Sequence, residues 1–268
     1  MTDSTKKSAP EFSSNKPDST SSRSFSLNRN QLKYLAIFAM LLDHIAWILS
    51  QNYYDSAWEY ALCFVFRTFG RLTAPIMSWF LVQGYIHTSS KKRYAGRLLI
   101  FALISQIPFA LVRSGKFWTN ELNVIFTLLL SFLMLCIIDS ALDTLPKVLL
   151  SILVFAASAF CDWAIFMPFM VLIFYLLKDK RRALVIFYSI LSLLVVLADI
   201  AILCIKGYHW YWELWQAGMF LFIPLLFLYK GESGSRAPFH KWFFYVFYPA
   251  HLLVLWGIFS LIPKIYNP

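Results

Sequence analysis

Nine long apolar runs, parted by short polar gaps, fill this chain from about residue 32 to residue 261. They lie at roughly 32–50, 67–86, 97–112, 122–138, 147–160, 164–177, 183–205, 212–229 and 243–261. A straight helix crossing a bilayer needs about 20 residues. The third, fifth and sixth runs are shorter, and are expected either to extend past the visible apolar stretch or to be partial or re-entrant. Hydrocarbon offers no water to backbone N–H and C=O groups, so each span must satisfy them within itself. The expected fold is therefore all-α, a polytopic transmembrane bundle of about nine membrane-embedded helices. Composition agrees, with 59% apolar or aromatic residues and 14% charged, against roughly 45–50% and 25% in soluble domains. A chain of 268 residues cannot hide that much apolar surface in one soluble core. Soluble enzymes, solvated binding modules and wholly disordered proteins are excluded.

A formal charge of +10 is unexpected in a bilayer protein until the bases are located. They cluster before the first run (Lys6, Lys7, Lys16, Arg23, Arg29, Lys33), then at Lys91, Lys92, Arg93 and Arg97. Two more groups follow, Lys178, Lys180, Arg181 and Arg182, and then Lys230, Arg236 and Lys241. The alternate gaps carry Asp55, Glu59, Glu121, Asp162 and Glu213 with few bases. This alternation follows the positive-inside rule. It predicts a bacterial cytoplasmic-membrane protein with the N-terminus inside and, from the odd count of runs, the C-terminus outside. Basic loops on one face account for the charge through membrane lipid, so no nucleic-acid partner is expected. Residues 1–30 are rich in Ser, Thr, Lys and Pro and read as a disordered cytoplasmic tail. Residues 31–268 read as one membrane domain.

Polar residues inside the apolar runs need a reason, because a charge at mid-bilayer costs roughly 2.5–3.5 kcal/mol on insertion scales. Asp43 and His44 interrupt the first run, and His44 stands eleven residues beyond Lys33, about 16 Å along a helix axis. Arg67 and Arg71 lie one turn apart on the second run, Arg71 within Gly70-Arg71-Leu72-Thr73-Ala74-Pro75. Glycine permits close backbone approach, and proline frees a carbonyl. Asp43 is the natural partner for Arg71, as a structural ion pair or as part of an anion anchor. Adjacent helical residues point about 100° apart, so Asp43 and His44 need not touch each other, and each is free to address a different helix. Asn123 and Thr127 share a face of the fourth run; such residues are commonly interhelical glue worth about 0.6 kcal/mol. His251 follows Lys241 by ten residues, about 15 Å, so two histidines from opposite ends of the chain are expected at one depth. The four cysteines form no CxxC, and no His/Cys/acidic spacing implies a metal.

These residues carry a family resemblance. The stretch from Leu32-Lys33-Tyr34-Leu35-Ala36 to Asp43-His44-Ile45 resembles the opening of the TraX family. So do Gly70-Arg71 with Pro75, Gln83-Gly84-Tyr85, and Arg97 followed by Ser105-Gln106-Ile107-Pro108-Phe109. Leu122-Asn123-Val124-Ile125-Phe126-Thr127 and the closing Tyr248-Pro249-Ala250-His251 complete an ordered set over residues 31–255, loosest around Asp162. The resemblance, and the family's likeness to membrane acyltransferases, implies an integral membrane acetyltransferase. Acetyl-CoA is then the donor, and a pilin or fimbrial N-terminus, or another surface group such as a glycan, the acceptor.

Acetyl transfer from a thioester needs a base on the acceptor and stabilisation of a tetrahedral oxyanion. On that reading His44 is the base or a transient acetyl carrier, supported by Asp43. His251, Asn123 or Arg71 polarises the carbonyl or holds the acceptor. Lys91, Lys92, Arg93 and Arg97 are expected to meet the coenzyme's phosphates, or else to report topology alone. The alternative is a proton-coupled transporter or flippase with a buried His/Asp/Arg relay, although no inverted repeat with broken helices supports it.

Overall fold

The computed structural model describes residues 26–52, 56–232, 234–235 and 237–261. Most of the expected tail, residues 1–25, lies outside the described residues, as do Asp55 and Arg236. Among the described residues the chain is helical throughout: α1 (Arg29–Asn52), α2 (Ala57–Gly70), α3 (Thr73–His87), α4 (Lys91–Ser114), α5 (Val124–Ile138) and α6 (Thr144–Ser158) come first. Then come α7 (Phe166–Leu176), α8 (Arg181–Ile205), a 3-10 helix (Trp210–Leu221), α9 (Phe222–Leu228) and α10 (Pro238–Leu261). Strand-type pairing among the described residues is confined to two isolated bridges, Leu27 with Tyr229 and Leu122 with Cys161.

Among the described residues five stretches are long and apolar enough to cross a membrane: Arg29–Ser50, Lys91–Ser114, Arg181–Ile205, Trp210–Leu228 and Trp242–Leu261. The protein is a membrane protein. The third expected segment proves to be the apolar part of the 24-residue α4. The fifth and sixth remain short, at 15 residues in α6 and 11 in α7. α6 packs chiefly on α5, and α7 packs on both α3 and α5. Their connection is pinned to the start of α5, where the Leu122 N–H donates to the Phe160 carbonyl and the Asp162 N–H donates to the Leu122 carbonyl, both at 2.8 Å.

The second expected segment is not one helix. It runs back to Ala57 and breaks at Arg71-Leu72 into α2 and α3. The cause is local: Pro75 has no N–H to give the Arg71 carbonyl, and the Leu72 N–H turns back to Phe69 at 3.1 Å. The eighth segment also divides, into the 3-10 helix and α9. With three residues per turn, side chains three apart eclipse, and the helix uses this to face two neighbours. Trp212, Trp215 and Gly218 line up towards α2, where a Cβ on Gly218 would fall 2.0 Å from the Thr68 carbonyl oxygen. Gln216 and Met219 turn to α8, reaching Asp199 and the Tyr188 hydroxyl.

The core is aromatic. Phe132, Phe174, Tyr188 and Phe222 are fully buried where α3, α5, α7, α8 and α9 converge. Large apolar side chains such as Leu149, Ile152 and Leu153 on α6, and Phe187, Ile190, Leu194 and Leu197 on α8, are exposed. In a bilayer these faces meet lipid. Arg29 and Lys33 at the start of α1, Lys91, Lys92, Arg93 and Arg97 at the start of α4, Lys178 just after α7, and Arg181 and Arg182 at the start of α8 gather at one end of the bundle, called here the basic end; Arg113 at the last turn of α4 pairs with Glu121 towards the opposite end, to which Asp162 and Glu213 also belong.

Candidate functional site

The kink between α2 and α3 brings charge into the bundle. Arg71 Nη2 lies 2.6 Å from Asp43 Oδ1, and Arg67 Nη1 lies 3.9 Å from the same oxygen. Arg71 is 8% exposed, so the pair is withdrawn from solvent and each charge depends on the other. Gly70 makes the approach possible: a Cβ there would stand 2.5 Å from Asp43 Cβ. Indole rings of Trp163 and Trp215 flank the Arg71 guanidinium, with centroids 4.8 and 4.6 Å from Cζ, and Trp215 lies 4.0 Å from Arg67 Cζ. Arg71 Nη1 reaches Gln216 Oε1 at 3.5 Å, and Gln216 Nε2 donates to Asp199 Oδ2 at 2.6 Å. Arg71 Nε is buried and makes no hydrogen bond.

His44 sits one residue on, facing α10. Its Nδ1–H donates to the Met40 carbonyl at 2.8 Å, and His251 Nδ1–H donates to the Phe247 carbonyl at 2.9 Å. A carbonyl only accepts, so both neutral rings carry the proton on Nδ1 and the lone pair on Nε2. His251 Nε2 then accepts from His44 Nδ1 at 3.4 Å. His251 is 5% exposed and stacks on Phe247 with an interplanar angle of 9°. The two histidines do meet, as their shared depth implied. The expected support of His44 by Asp43 takes a different form: the carboxylate is committed to Arg71 and the imidazole is held by the Met40 carbonyl and His251.

Both Asp43 and His44 line a cavity of about 1380 Å³ that runs between the two ends of the bundle. Arg67 and Arg71 line it at the same level, and Arg113, Glu121, Asp162 and Asp199 line it towards the opposite end. At the basic end its charged lining residues are Arg29, Lys33, Arg97 and Lys178. Asp162 lies in the segment joining α6 and α7, next to Trp163, whose φ of 58° is left-handed. Burial, reinforced by Glu121, pushes the Asp162 carboxyl up to about 6 despite Arg113 and Arg71. In the sequence Asp162 reads only as one of the acids in a polar gap, because only the fold buries that loop.

Four expected site residues stand apart. Asn123 is wholly buried, but its side chain is used up in joining α4 to α5. The amide donates to the Ala102 carbonyl at 2.8 Å and to Gln106 Oε1 at 2.9 Å, and its oxygen caps Ile125 N at 3.0 Å. With its donors and acceptor occupied, it is not free to polarise a carbonyl. Lys91, Lys92 and Arg93 do not line the cavity. Lys91 is drawn instead to the Tyr85 hydroxyl and lies 3.5 Å from Asp139. Tyr85 and Tyr175 donate to the same carboxylate at 2.8 and 2.6 Å. Burial alone would raise the Asp139 carboxyl, but these partners outweigh it and hold it below its ordinary range. Of the expected phosphate-binding bases, Arg97 alone reaches the cavity. No cluster of His, Cys, Asp and Glu among the described residues is arranged to hold a metal ion.

Comparison with known proteins bears on this arrangement. The family model described as TraX protein matches residues 28–259. The chain is similar to the probable fimbrial assembly protein FimC, serogroup H1, of Dichelobacter nodosus, with 35% identity over 245 residues, covering 87% of this chain and 96% of that protein. No solved structure matches significantly. The family match takes in α1 through nearly all of α10, with the Asp43–Arg71 pair and both buried histidines inside it, and the chain belongs to the TraX family.

Proposed function

We propose that this protein is a membrane acetyltransferase of the bacterial cytoplasmic membrane, moving an acetyl group from cytoplasmic acetyl-CoA to a cell-surface acceptor. The observation that carries it is one continuous cavity lined by bases at one end, by Glu121, Asp162, Asp199 and Arg113 towards the other, and by the imidazole of His44 between them. A fimbrial assembly protein among its relatives supports a pilin or fimbrial N-terminus as acceptor; a surface glycan is the other acceptor class.

His44 is the base in this reaction. Its Nε2 takes the proton of an acceptor N–H or O–H as that atom attacks the thioester carbonyl carbon. The carbonyl becomes a tetrahedral oxyanion within reach of the Arg71–Arg67 pair, whose positive charge exceeds that of Asp43 by one. Collapse breaks the C–S bond, and the thiolate leaves with the proton held on the imidazolium. Fixed charges aimed at a developing oxyanion are usually the largest single contribution to such catalysis. Asp43 keeps the two guanidiniums in place and so acts through them.

The test is acetyl transfer by purified protein in nanodiscs, from labelled acetyl-CoA to a peptide bearing the acceptor N-terminus, together with intact-mass measurement of surface proteins from cells with and without the gene. An acetyl mass increment lost with the gene, and lost again in a His44→Ala strain with normal membrane expression, supports the reading. Full transfer by His44→Ala removes it. The same cavity also suits a proton-coupled transporter or flippase, since charged residues line it towards both ends. Thermal stabilisation by acetyl-CoA, absent for candidate solutes, separates the two.

A further inference from the structure

The cavity is polar in its charge as well as its chemistry. Its acidic lining residues, Asp43, Glu121, Asp162 and Asp199, lie at the level of the kink or beyond it towards the opposite end. At the basic end the charged residues that line it are Arg29, Lys33, Arg97 and Lys178, with no Asp or Glu among the lining residues there. Cations clustered on a cavity wall that carries no acid repel one another and attract a polyanion.

Two of these bases are built in rather than solvated. Lys33 points its ammonium between the rings of Phe80 and Phe244, at 5.4 and 5.0 Å from their centroids. Arg97 lies six residues inside α4, about 9 Å from its start, with its guanidinium 5.3 Å from the Tyr94 ring. Its Nε is buried and has no hydrogen-bond partner. A buried donor left unsatisfied carries a desolvation penalty, which an arriving acceptor would relieve. The wall opposite is fixed in place, since Tyr34 and His240 hydrogen-bond at 2.7 Å and the Asn30 amide donates to the Ser235 carbonyl at 2.8 Å. A planar guanidinium with a free edge, beside a lysine held off solvent by aromatic rings, is suited to phosphate oxygens.

We infer that Lys33 and Arg97, with Arg29 and Lys178 at the rim, form a phosphate-binding mouth that takes the phosphate groups of a soluble donor entering from the basic end. The inference deepens the acetyltransferase reading and rests on it for the identity of the donor. It shifts that site from the exposed start of α4 to the cavity entrance. Anionic lipid headgroups present the same chemistry, and the experiment distinguishes them.

Full-length protein in zwitterionic nanodiscs is titrated with coenzyme A, with 3′,5′-ADP, and with pantetheine, which has no phosphate. Wild type is expected to bind the first two and to lose about tenfold in affinity for each with Arg97→Gln or Lys33→Gln. Lys178→Gln, at the exposed rim, gives a smaller loss without risk to folding, and Arg97→Lys recovers part of the affinity. Lys92→Gln, on the exposed start of α4, leaves binding unchanged. Unchanged affinity in Arg97→Gln, Lys33→Gln and Lys178→Gln overturns the inference, as does failure of wild type to bind either phosphate compound. Binding of 3′,5′-ADP with this dependence but no acetyl transfer would keep the mouth and remove the transferase. Displacement of both compounds by phosphatidylglycerol in the nanodisc would assign the mouth to lipid and overturn its role in holding a donor.

Discussion

His44 Nδ1 and His251 Nε2 stand 3.4 Å apart although 207 positions separate them in the chain. Each ring is anchored to the carbonyl four residues before it. The contact therefore links the first helix to the last at the level of the buried ion pair. In the proposed reaction His44 does the proton transfer and His251 positions it. His44→Ala should lower kcat by about 10²–10⁴-fold. His251→Ala should give a smaller loss and move the midpoint of the kcat–pH profile, and His251→Gln, which offers an amide oxygen in place of Nε2, should restore part of it. Equal losses with an unmoved profile would mean that His251 is only packing.

The Asp43–Arg71 pair sets a second expectation. Breaking a buried pair leaves an uncompensated charge and costs about 3–5 kcal/mol. Asp43→Asn should lower thermal stability in detergent sharply, and the double substitution Asp43→Asn/Arg71→Gln should cost less than the two single ones together. Additive losses in a double-mutant cycle would show that the residues are not coupled.

Close backbone approach around the kink is equally testable. A methyl group on Gly218 would meet the Thr68 carbonyl oxygen at 2.0 Å, a backbone atom that cannot swing away. Gly218→Ala should part the 3-10 helix from α2 and reduce folded yield. Gly257→Ala on α10, where a Cβ meets nothing within 4 Å, is the control. Matching melting temperatures for the two would contradict the packing described.

Asp162 predicts a pH dependence. Its carboxyl is raised from 3.8 to about 6 by burial, with Glu121 adding to the rise. The folded state therefore favours the protonated form. That contribution is complete below about 3.8 and is lost as pH rises through about 6. Asp162→Asn, which cannot ionise, should gain stability relative to wild type across this window and keep the gain above it. A difference in melting temperature that stays flat from pH 4 to pH 8 would contradict the assignment (the range is about two pH units either side of 6).

Asn123 offers the converse case. Asn123→Ala removes a helix cap and two buried amide hydrogen bonds, and should cost about 1–3 kcal/mol of stability. Transfer activity per folded molecule should be unchanged. A large fall in kcat at normal stability would return Asn123 to the reaction.

Apolar periodicity alone determined the membrane class, the helical fold and the depth of the charged residues, because hydrocarbon permits few solutions to backbone hydrogen bonding. The same reading picked out Asp43, Arg71, His44 and His251, since a polar group in an apolar run carries its own cost. It could not show which partner each would choose. Proline at position 75 marked a break, but only the folded backbone turned that break into an arginine pair around one carboxylate. Asn123 looked like the other buried polar residues until its hydrogen bonds were seen to be filled within the α4–α5 joint. The clustered bases of α4 were conspicuous in sequence, yet the cavity draws on Lys33, Arg97 and Lys178 from three helices or their ends. Local pattern fixes how deep a residue lies in the membrane. Which side chains share a cavity depends on how helices distant in the chain rotate and pack, and that was decided by the tertiary structure.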